Sequence, residues 1–321
     1  MNFKKDLPLT SSHWGTYRAK VKDGKVKELI GWENDKDPSP IGQGIVDVHN
    51  HQTRIDSPMI RKSWMDKGPG SNNSLRGTDP FISISWDEAE KIVSNELNRV
   101  KNDFGNASIF GGSYGWASAG RFHHAQSQLH RFLNCIGGYT RSKFTYSFAA
   151  AEAMVPHILG SYRAYLDTCT SWESIEENTE LFICFGGVPL KNGQIAQGGT
   201  GSHKQKEKLI RSANAGIKFV NFSPLKSDLL DEVNGEWLAL RPNTDVAIML
   251  GLAHTLFKEK LYDDKFIEKY TEGFETFLPY LQGDIDGIVK DASWASSISE
   301  IPSEKIISLA KEMSSKRTMI S

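Results

Sequence analysis

The stretch Glu180–Gly187 reads ELFICFGG, and further on Ile217–Pro224 reads IKFVNFSP. Each is a short apolar run without polar alternation, closed by glycine, serine or proline. A run that is apolar on both sides is a strand covered on both faces. Between them HKQKEKLIRSANAG (203–216) has the periodicity of a helix. A strand, a helix and a second strand in succession imply a parallel sheet flanked by helices. The pattern continues with helices in TDVAIMLGLAHTLFKEK (244–260), DDKFIEKYTEGF (263–274) and SEKIISLAKEM (303–313). In the last of these Ile306, Leu309, Ala310 and Met313 form one stripe. KRTMIS follows, and Arg317–Ser321 read as the opening of one more strand. A crossover unit whose second strand is cut short leaves sheet edge uncovered. The sequence is therefore expected to be part of a longer protein or assembly.

Upstream the character differs. TYRAKVKDGKVKELIGW (16–32) reads as a hairpin turning at Asp23-Gly24, and NDKDPSPIGQG (34–44) as a loop. SWDEAEKIVSNELNRVKNDFG (85–105) opens with Ser85 and Glu88 spaced as a capping box. It carries Ala89, Ile92, Val93, Leu97 and Val100 on one helical face and stops at Gly105. ASIFGG (107–112) reads as a buried strand, and RFHHAQSQLHRFLNCIGG (121–138) as a helix closed by glycines. The fold class is thus α/β, with parallel sheets and flanking helices of dinucleotide-binding type after a small β-rich segment. The expected division is 1–60, 61–155 and 156–321, the last part incomplete at its C-terminus.

With 321 residues and a net charge of −1 there is no basic footprint for nucleic acid and no polybasic membrane patch. No apolar stretch is long enough to span a bilayer. The start, MNFKKDLPLTSSHWG, lacks the apolar core of a secretory signal. That points to the cytoplasm, or to the periplasm if a leader precedes this sequence. Cys135, Cys169 and Cys184 are scattered, which argues against a zinc ribbon, an iron–sulfur cluster or a disulfide framework. Each reads as a small buried apolar residue.

Four places carry candidate chemistry. FGGSYGW (110–116) contains G-x-S-x-G, the nucleophile-elbow pattern, which with Asp245 and His254 would make Ser113 a serine esterase of α/β-hydrolase type. The strand ends at CFGGVPLKN (184–192) and VNFSPLKSD (220–228) lie where open α/β sheets bind ligands, and Lys191 or Lys226 can neutralise phosphate there. No GxGxxG or GxxxxGK[ST] fingerprint is present, and beside the esterase the sequence leaves open a non-catalytic fragment that binds a nucleotide. In RPNTDVAIMLGLAHTL (241–256), Asn243 or Thr244 can cap a helix and Asp245 complements its dipole. His254 lies within that helix and reads as packed. Ser147, in FTYSFAAAEAM (144–154), reads from its own surroundings as a helix cap. His49 and His51 belong to a polar loop, and His123-His124 fall on a helix where neighbours do not share a face.

The segments SHWG (12–15), SPMIRKSW (57–64), ISWDEA (84–89), GGSYGW (111–116), TYSFAAAEAMVPHILG (145–160), TSW (170–172), NTDVAIMLGLAHTL (243–256), LYDDKFIEKYTEGFETFLPYLQG (261–283) and KRTM (316–319) occur in this order. Together they resemble the dimethyl sulfoxide reductase family of molybdopterin enzymes, in its biotin sulfoxide and trimethylamine N-oxide reductase branch. The resemblance covers nearly the whole chain, and family members run to well over twice its length.

The resemblance implies a molybdenum held by two molybdopterin guanine dinucleotides, with Ser147 as the protein ligand to the metal. It implies a small S-oxide or N-oxide substrate, reduced by two electrons. The donor expected from the resemblance is an electron-transfer protein or NAD(P)H. Tyr114 and Trp116 match aromatic residues that face the metal and can donate to the substrate oxygen. Ser113, Trp116, Lys191, Asn192, Ser223, Lys226, Asn243 and Asp245 match segments that line the cofactor. Where many relatives have Asp-Tyr-Ser-Thr-Gly-Ala-Ala-Gln, this chain has Thr145-Tyr146-Ser147-Phe148-Ala149-Ala150-Ala151-Glu152. Ser223 stands at a strand end that is aspartate in many relatives.

Overall fold

The computed structural model describes residues 6–49, 51–113, 124–195 and 201–321, with the backbone alone at 165. They group into two compact units, one within Met1–Tyr162 and one of Arg163–Ile195 with His203–Ser321.

In the first unit β1 (Leu9–Ser12), β2 (Gly15–Lys22) and β3 (Lys25–Gly31) form an antiparallel sheet in that order. Asp23 and Gly24 take positive φ, 54° and 70°, as a two-residue type I′ turn requires. The expected hairpin is present. Helix α1 (Ile41–Val48) corrects the reading of 34–44 as loop throughout, because the helix starts directly behind Pro40. Gly42 belongs to it because a Cβ there would come within 2.7 Å of the buried Tyr17 ring.

Strands β4 (Met59–Arg61) and β5 (Phe81–Ser83) pair antiparallel, with α2 (Lys62–Lys67) between them in the chain. Helix α3 (Trp86–Phe104) begins at the capping box. The Ser85 hydroxyl accepts the Glu88 N–H at 3.2 Å, and the Glu88 carboxylate accepts the Ser85 N–H at 2.9 Å. Ala89, Ile92, Val93 and Leu97 share one face, lining a groove with Met59 and Ile60.

ASIFGG is not a strand. Asn106–Ser108 is a 3-10 turn, and Phe110 makes one isolated bridge with Thr140. A single bridging pair does not propagate into a ladder. Helix α4 (Ala125–Cys135) begins after His124, so His124 is its N-cap rather than a helical residue, and its Nδ1 accepts the Ser127 N–H at 3.2 Å. His123 lies outside the described residues. Helix α5 (Ala149–Leu159) follows, and all of α6 (Tyr162–Asp167) but its first residue falls in the second unit.

In the second unit the order is α7 (Trp172–Asn178), β6 (Leu181–Phe185), α8 (Leu190–Gly193), α9 (Gln205–Asn214), β7 (Lys218–Phe222) and β8 (Glu236–Leu238). Then come α10 (Asp245–Lys258), α11 (Asp264–Tyr270), α12 (Phe274–Gln282), α13 (Ala292–Ser299), α14 (Ser303–Ser315) and β9 (Thr318–Ile320). The strands form one parallel sheet in the order β8-β7-β6-β9. Alternation within β6 serves two cores. Leu181 and Ile183 pack with Ile248, Leu252, Ile306 and Leu309 on one face, while Phe182 and Cys184 pack with Ile175, Leu209 and Phe219 on the other. This is why neither strand shows polar alternation.

Among the cysteines only Cys184 is buried, and burial pushes its thiol up to about 12. Cys135 and Cys169 are exposed, against expectation, because each lies at or beyond a helix end rather than on a core-facing strand. Among the described residues no helix is long and apolar enough to cross a membrane.

Candidate functional site

The carboxyl edge of the parallel sheet gathers part of the expected site. Beyond β6, Gly186 and Gly187 both have positive φ, 89° and 77°. The Gly186 N–H donates to the Phe222 carbonyl at 2.8 Å, which ties the two strand ends together. A Cβ at Gly187 would lie 2.6 Å from the Asp228 Cβ and strike the Asp228 carbonyl as well. The Val188 N–H donates to that carbonyl at 2.8 Å.

Asp228 joins the parts. The Ser223 hydroxyl donates to its carboxylate at 2.6 Å, and the Lys191 ammonium stands 3.5 Å from its other oxygen. Ser223 is fully buried and is held on two further sides. Its hydroxyl accepts the Leu225 N–H at 3.1 Å, and its carbonyl accepts the Trp237 indole N–H at 2.8 Å. Sequence reasoning missed Asp228. The signal was present as the one carboxylate in the SPLKSD turn, five residues beyond Ser223. A carboxylate thus reaches the strand end at which the sequence itself carries serine.

Lys226 is exposed on the same loop, and Asn192 is exposed on α8. A cleft of about 290 Å³ opens beside Lys191 and Ser227. A smaller cavity of about 90 Å³ is lined by Lys226, Asp231, Asn234, Trp237 and Asn221. The Asn221 side chain is fully buried, and neither of its amide atoms has a hydrogen-bond partner among the described residues. Asn243, at φ 67°, and Asp245 stand at the start of α10. Thr244 occupies the N-cap but does not cap, since its hydroxyl donates back to the Arg241 carbonyl at 2.6 Å.

In the first unit, Ser147 lies in the turn that leads into α5 and is exposed. It is not the cap expected from its surroundings. The N-cap position is Phe148, with no side-chain capping bond, and Phe148 packs 5.5 Å from the Tyr162 ring. The turn is shaped instead by Phe144 at φ 65° and by Glu152, whose carboxylate accepts the Thr145 N–H at 2.7 Å. Thr145 Oγ1 is buried without a partner among the described residues, two residues from Ser147. Ser113 is described through its carbonyl, which accepts from Gln126 Nε2 at 3.0 Å. Tyr114 and Trp116 lie outside the described residues.

The esterase reading fails on geometry. Asp245 and His254 occupy opposite parts of α10, nine residues apart, which is roughly 13 Å along an α-helix. They cannot share the hydrogen bond a triad needs. Ser113 also follows an isolated bridge rather than the strand of an elbow.

The family model described as molybdopterin oxidoreductase matches residues 54–317, and that of the molybdopterin oxidoreductase N-terminal domain matches residues 10–48. The chain belongs to the molybdopterin oxidoreductase family. It is 39% identical over 312 residues to the dimethyl sulfoxide/trimethylamine N-oxide reductase of Rhodobacter capsulatus, covering 97% of this chain and 38% of that protein. The biotin sulfoxide reductase of Cereibacter sphaeroides is 40% identical over 287 residues, covering 89% of this chain and 39% of that one. The trimethylamine-N-oxide reductase of Haemophilus influenzae is 36% identical, with 97% and 38% covered. Acetylene hydratase from Pelobacter acetylenicus shares the fold, with a TM-score of 0.60 at 20% identity over 97% of this chain and 40% of that one. The chain therefore spans 38–39% of the length of these reductases. The resemblance seen in the motifs is borne out.

Membership in the family implies a molybdenum–molybdopterin cofactor, and the residues present fit one. Among the described residues no three His, Cys, Asp or Glu gather to hold a metal. The exposed side-chain oxygen of Ser147 is a hard donor of the kind such a metal accepts. Within the second unit, the exposed Lys191 and Lys226 at the sheet edge are cationic groups suited to an anionic ligand.

Proposed function

We propose that this chain is the N-terminal portion of a molybdenum reductase that removes oxygen from S-oxides or N-oxides. The substrate class is that of biotin or methionine sulfoxide, dimethyl sulfoxide and trimethylamine N-oxide. What carries the reading is identity of 36–40% along 89–97% of the chain to reductases named for such compounds. With two electrons and two protons, a sulfoxide becomes a sulfide and an N-oxide an amine, and the oxygen leaves as water.

The cofactor in this proposal is molybdenum with two molybdopterin guanine dinucleotides, and this chain binds no iron–sulfur cluster. When bound, the group supplies two-electron exchange at the metal; the protein binds, orients and tunes. Ser147 gives its side-chain oxygen to the metal. Tyr114 and Trp116 donate an O–H and an N–H to the substrate oxygen and fix its direction. Lys191 and Lys226 neutralise phosphate at the sheet edge. Ser113, Trp116, Asn192, Ser223, Asn243 and Asp245 complete the cradle, with the Asp245 carboxylate set to accept guanine N–H groups. Asp228 positions Ser223 and Lys191 rather than touching the cofactor. The division at 60 and 155, a cytoplasmic site of action and an electron-transfer protein or NAD(P)H as donor belong to the same proposal.

The test uses the full-length product of the gene, purified from its own organism. Molybdenum is measured by mass spectrometry and turnover by methionine sulfoxide and trimethylamine N-oxide reduction with a reduced viologen dye. Ser147→Ala is expected to lose the metal and the turnover while melting as the wild type does. A Ser147→Ala protein that keeps both sinks the ligand assignment. A wild-type protein with neither metal nor turnover sinks the reductase reading.

A further inference from the structure

Helix α10 ends in a Schellman turn. The Leu261 N–H donates to the Leu256 carbonyl at 2.8 Å, and the Lys260 N–H to the Phe257 carbonyl at 3.1 Å. This turn sets one residue in the left-handed region, where glycine is the usual occupant. Here that residue is Lys260, at φ 54°. A side chain held where a glycine would be less strained is a reason to ask what it faces.

Lys260 lines a cavity of about 470 Å³ with His254, Phe257, Lys258, Tyr262 and Gln282. Val289 and Asp291 complete the lining, brought alongside Gln282 by the Lys290 N–H donating to the Leu281 carbonyl at 3.0 Å. The volume falls in the range of small-molecule sites, about 300–1,000 Å³. His254 is only 9% exposed and lines this cavity. Burial pushes its pKa down, against the pull of Asp291, so at neutral pH it offers one N–H and one lone pair.

The charges are unequal. Among the described residues neither Lys258 nor Lys260 has a carboxylate partner. Asp291 is partly spent as a helix cap, accepting the Trp294 N–H at 2.8 Å. Of the other acids nearby, Glu259 pairs with Lys311 at 3.3 Å and Asp264 is hydrogen-bonded to Tyr262. The Phe257 and Tyr262 rings lie stacked with centroids 5.8 Å apart, giving the cavity an apolar side.

We propose that this cavity binds a small organic anion, a phosphate or carboxylate carried on a flat apolar body. The two lysines take the anionic group. Phe257, Tyr262 and Val289 cover the ring, and His254 with Gln282 bonds its polar substituents. The site lies at the opposite end of α10 from Asn243 and Asp245, and it does not depend on the cofactor reading.

The full chain is titrated with phenyl phosphate, with benzoate and with neutral phenol, and followed by calorimetry and by the His254 ring resonances. The expected result is saturable binding of at least one anion with a Kd near or below ~1 mM, phenol binding at least tenfold weaker, and a shift of the His254 signals. The tighter of the two anions tells whether phosphate or carboxylate is preferred. Lys258→Ala with Lys260→Ala should weaken binding at least tenfold. Lys260→Gly should raise the melting temperature, by relieving the turn, while still weakening binding. No saturable binding of either anion, phenol binding equally well, or Lys260→Gly binding as the wild type does would each overturn the proposal.

Discussion

Gly187→Ala tests the close approach on which the sheet-edge site depends. At φ 77° an added Cβ is strained whatever surrounds it, by about 1–2 kcal/mol for a residue driven into the left-handed region. The same Cβ would sit 2.6 Å from the Asp228 Cβ and against the Asp228 backbone, which cannot swing aside like a side-chain tip. Forcing that loop outward adds roughly 1–3 kcal/mol, as overpacking does. Gly186 is the internal control. Its φ is 89°, but nothing lies within 4 Å of a Cβ there, so Gly186→Ala carries only the conformational part. Urea unfolding of the two variants should therefore differ by about 1–3 kcal/mol, with Gly187→Ala the weaker. In a unit of this size that is roughly 2–12 °C in Tm. Equal stability of the two variants would refute the claim that the loop of Asp228 is packed against this turn.

Other expectations concern single groups. Ser85→Ala breaks the capping box at the start of α3 and should cost about 1 kcal/mol in chemical denaturation, with Ser85→Asn restoring most of it. Asp79 is held below the usual aspartate range, first by the Ser63 hydroxyl and then by the Ser63 N–H and Arg61. Its contribution is present above the unfolded value of ~3.9 and lost as pH falls through the lower folded value. Asp79→Asn should accordingly flatten the acid limb of a stability-versus-pH curve, and an unchanged limb would count against this role. Ellman titration of the native chain at pH 8 should find Cys135 and Cys169 reactive and Cys184 silent, and denaturant should expose the third thiol.

Much of this fold is legible locally. The Asp23-Gly24 turn, the Ser85–Glu88 box, Gly105 and the apolar runs of β6 and β7 each settle their own neighbourhood through interactions spanning a few residues. What failed was decided at a distance. ASIFGG has the composition of a strand, but among the described residues its one bridge is to Thr140. Ser147 precedes a helix but does not cap it, because Glu152 reaches back to Thr145 and shifts the turn by one residue. Of the expected sheet-edge residues, Lys191 and Ser223 meet through a third group, Asp228, which shares the turn of Ser223 and reaches Lys191 only through the approach of a second loop. The serine at 223 and its carboxylate lie five residues apart in one turn, a spacing that no common motif marks. The assignments of Ser147, Tyr114 and Trp116 rest on the family's pattern rather than on local physics.

The sheet order β8-β7-β6-β9 also sets a schedule. Strand β6 takes β7 on one side early, but its other side is closed only by β9, where the Arg317 N–H reaches the Glu180 carboxylate across 137 residues. At about 5–20 residues per second a ribosome needs roughly 7–27 s to deliver that partner. Through that interval the N–H and C=O groups of one of the most apolar segments of the chain stand unpaired, an open template for any other extended peptide. Synthesis of this protein thus passes through a stage in which its central strand is an edge, and chaperone demand should peak there rather than at the earlier hairpin.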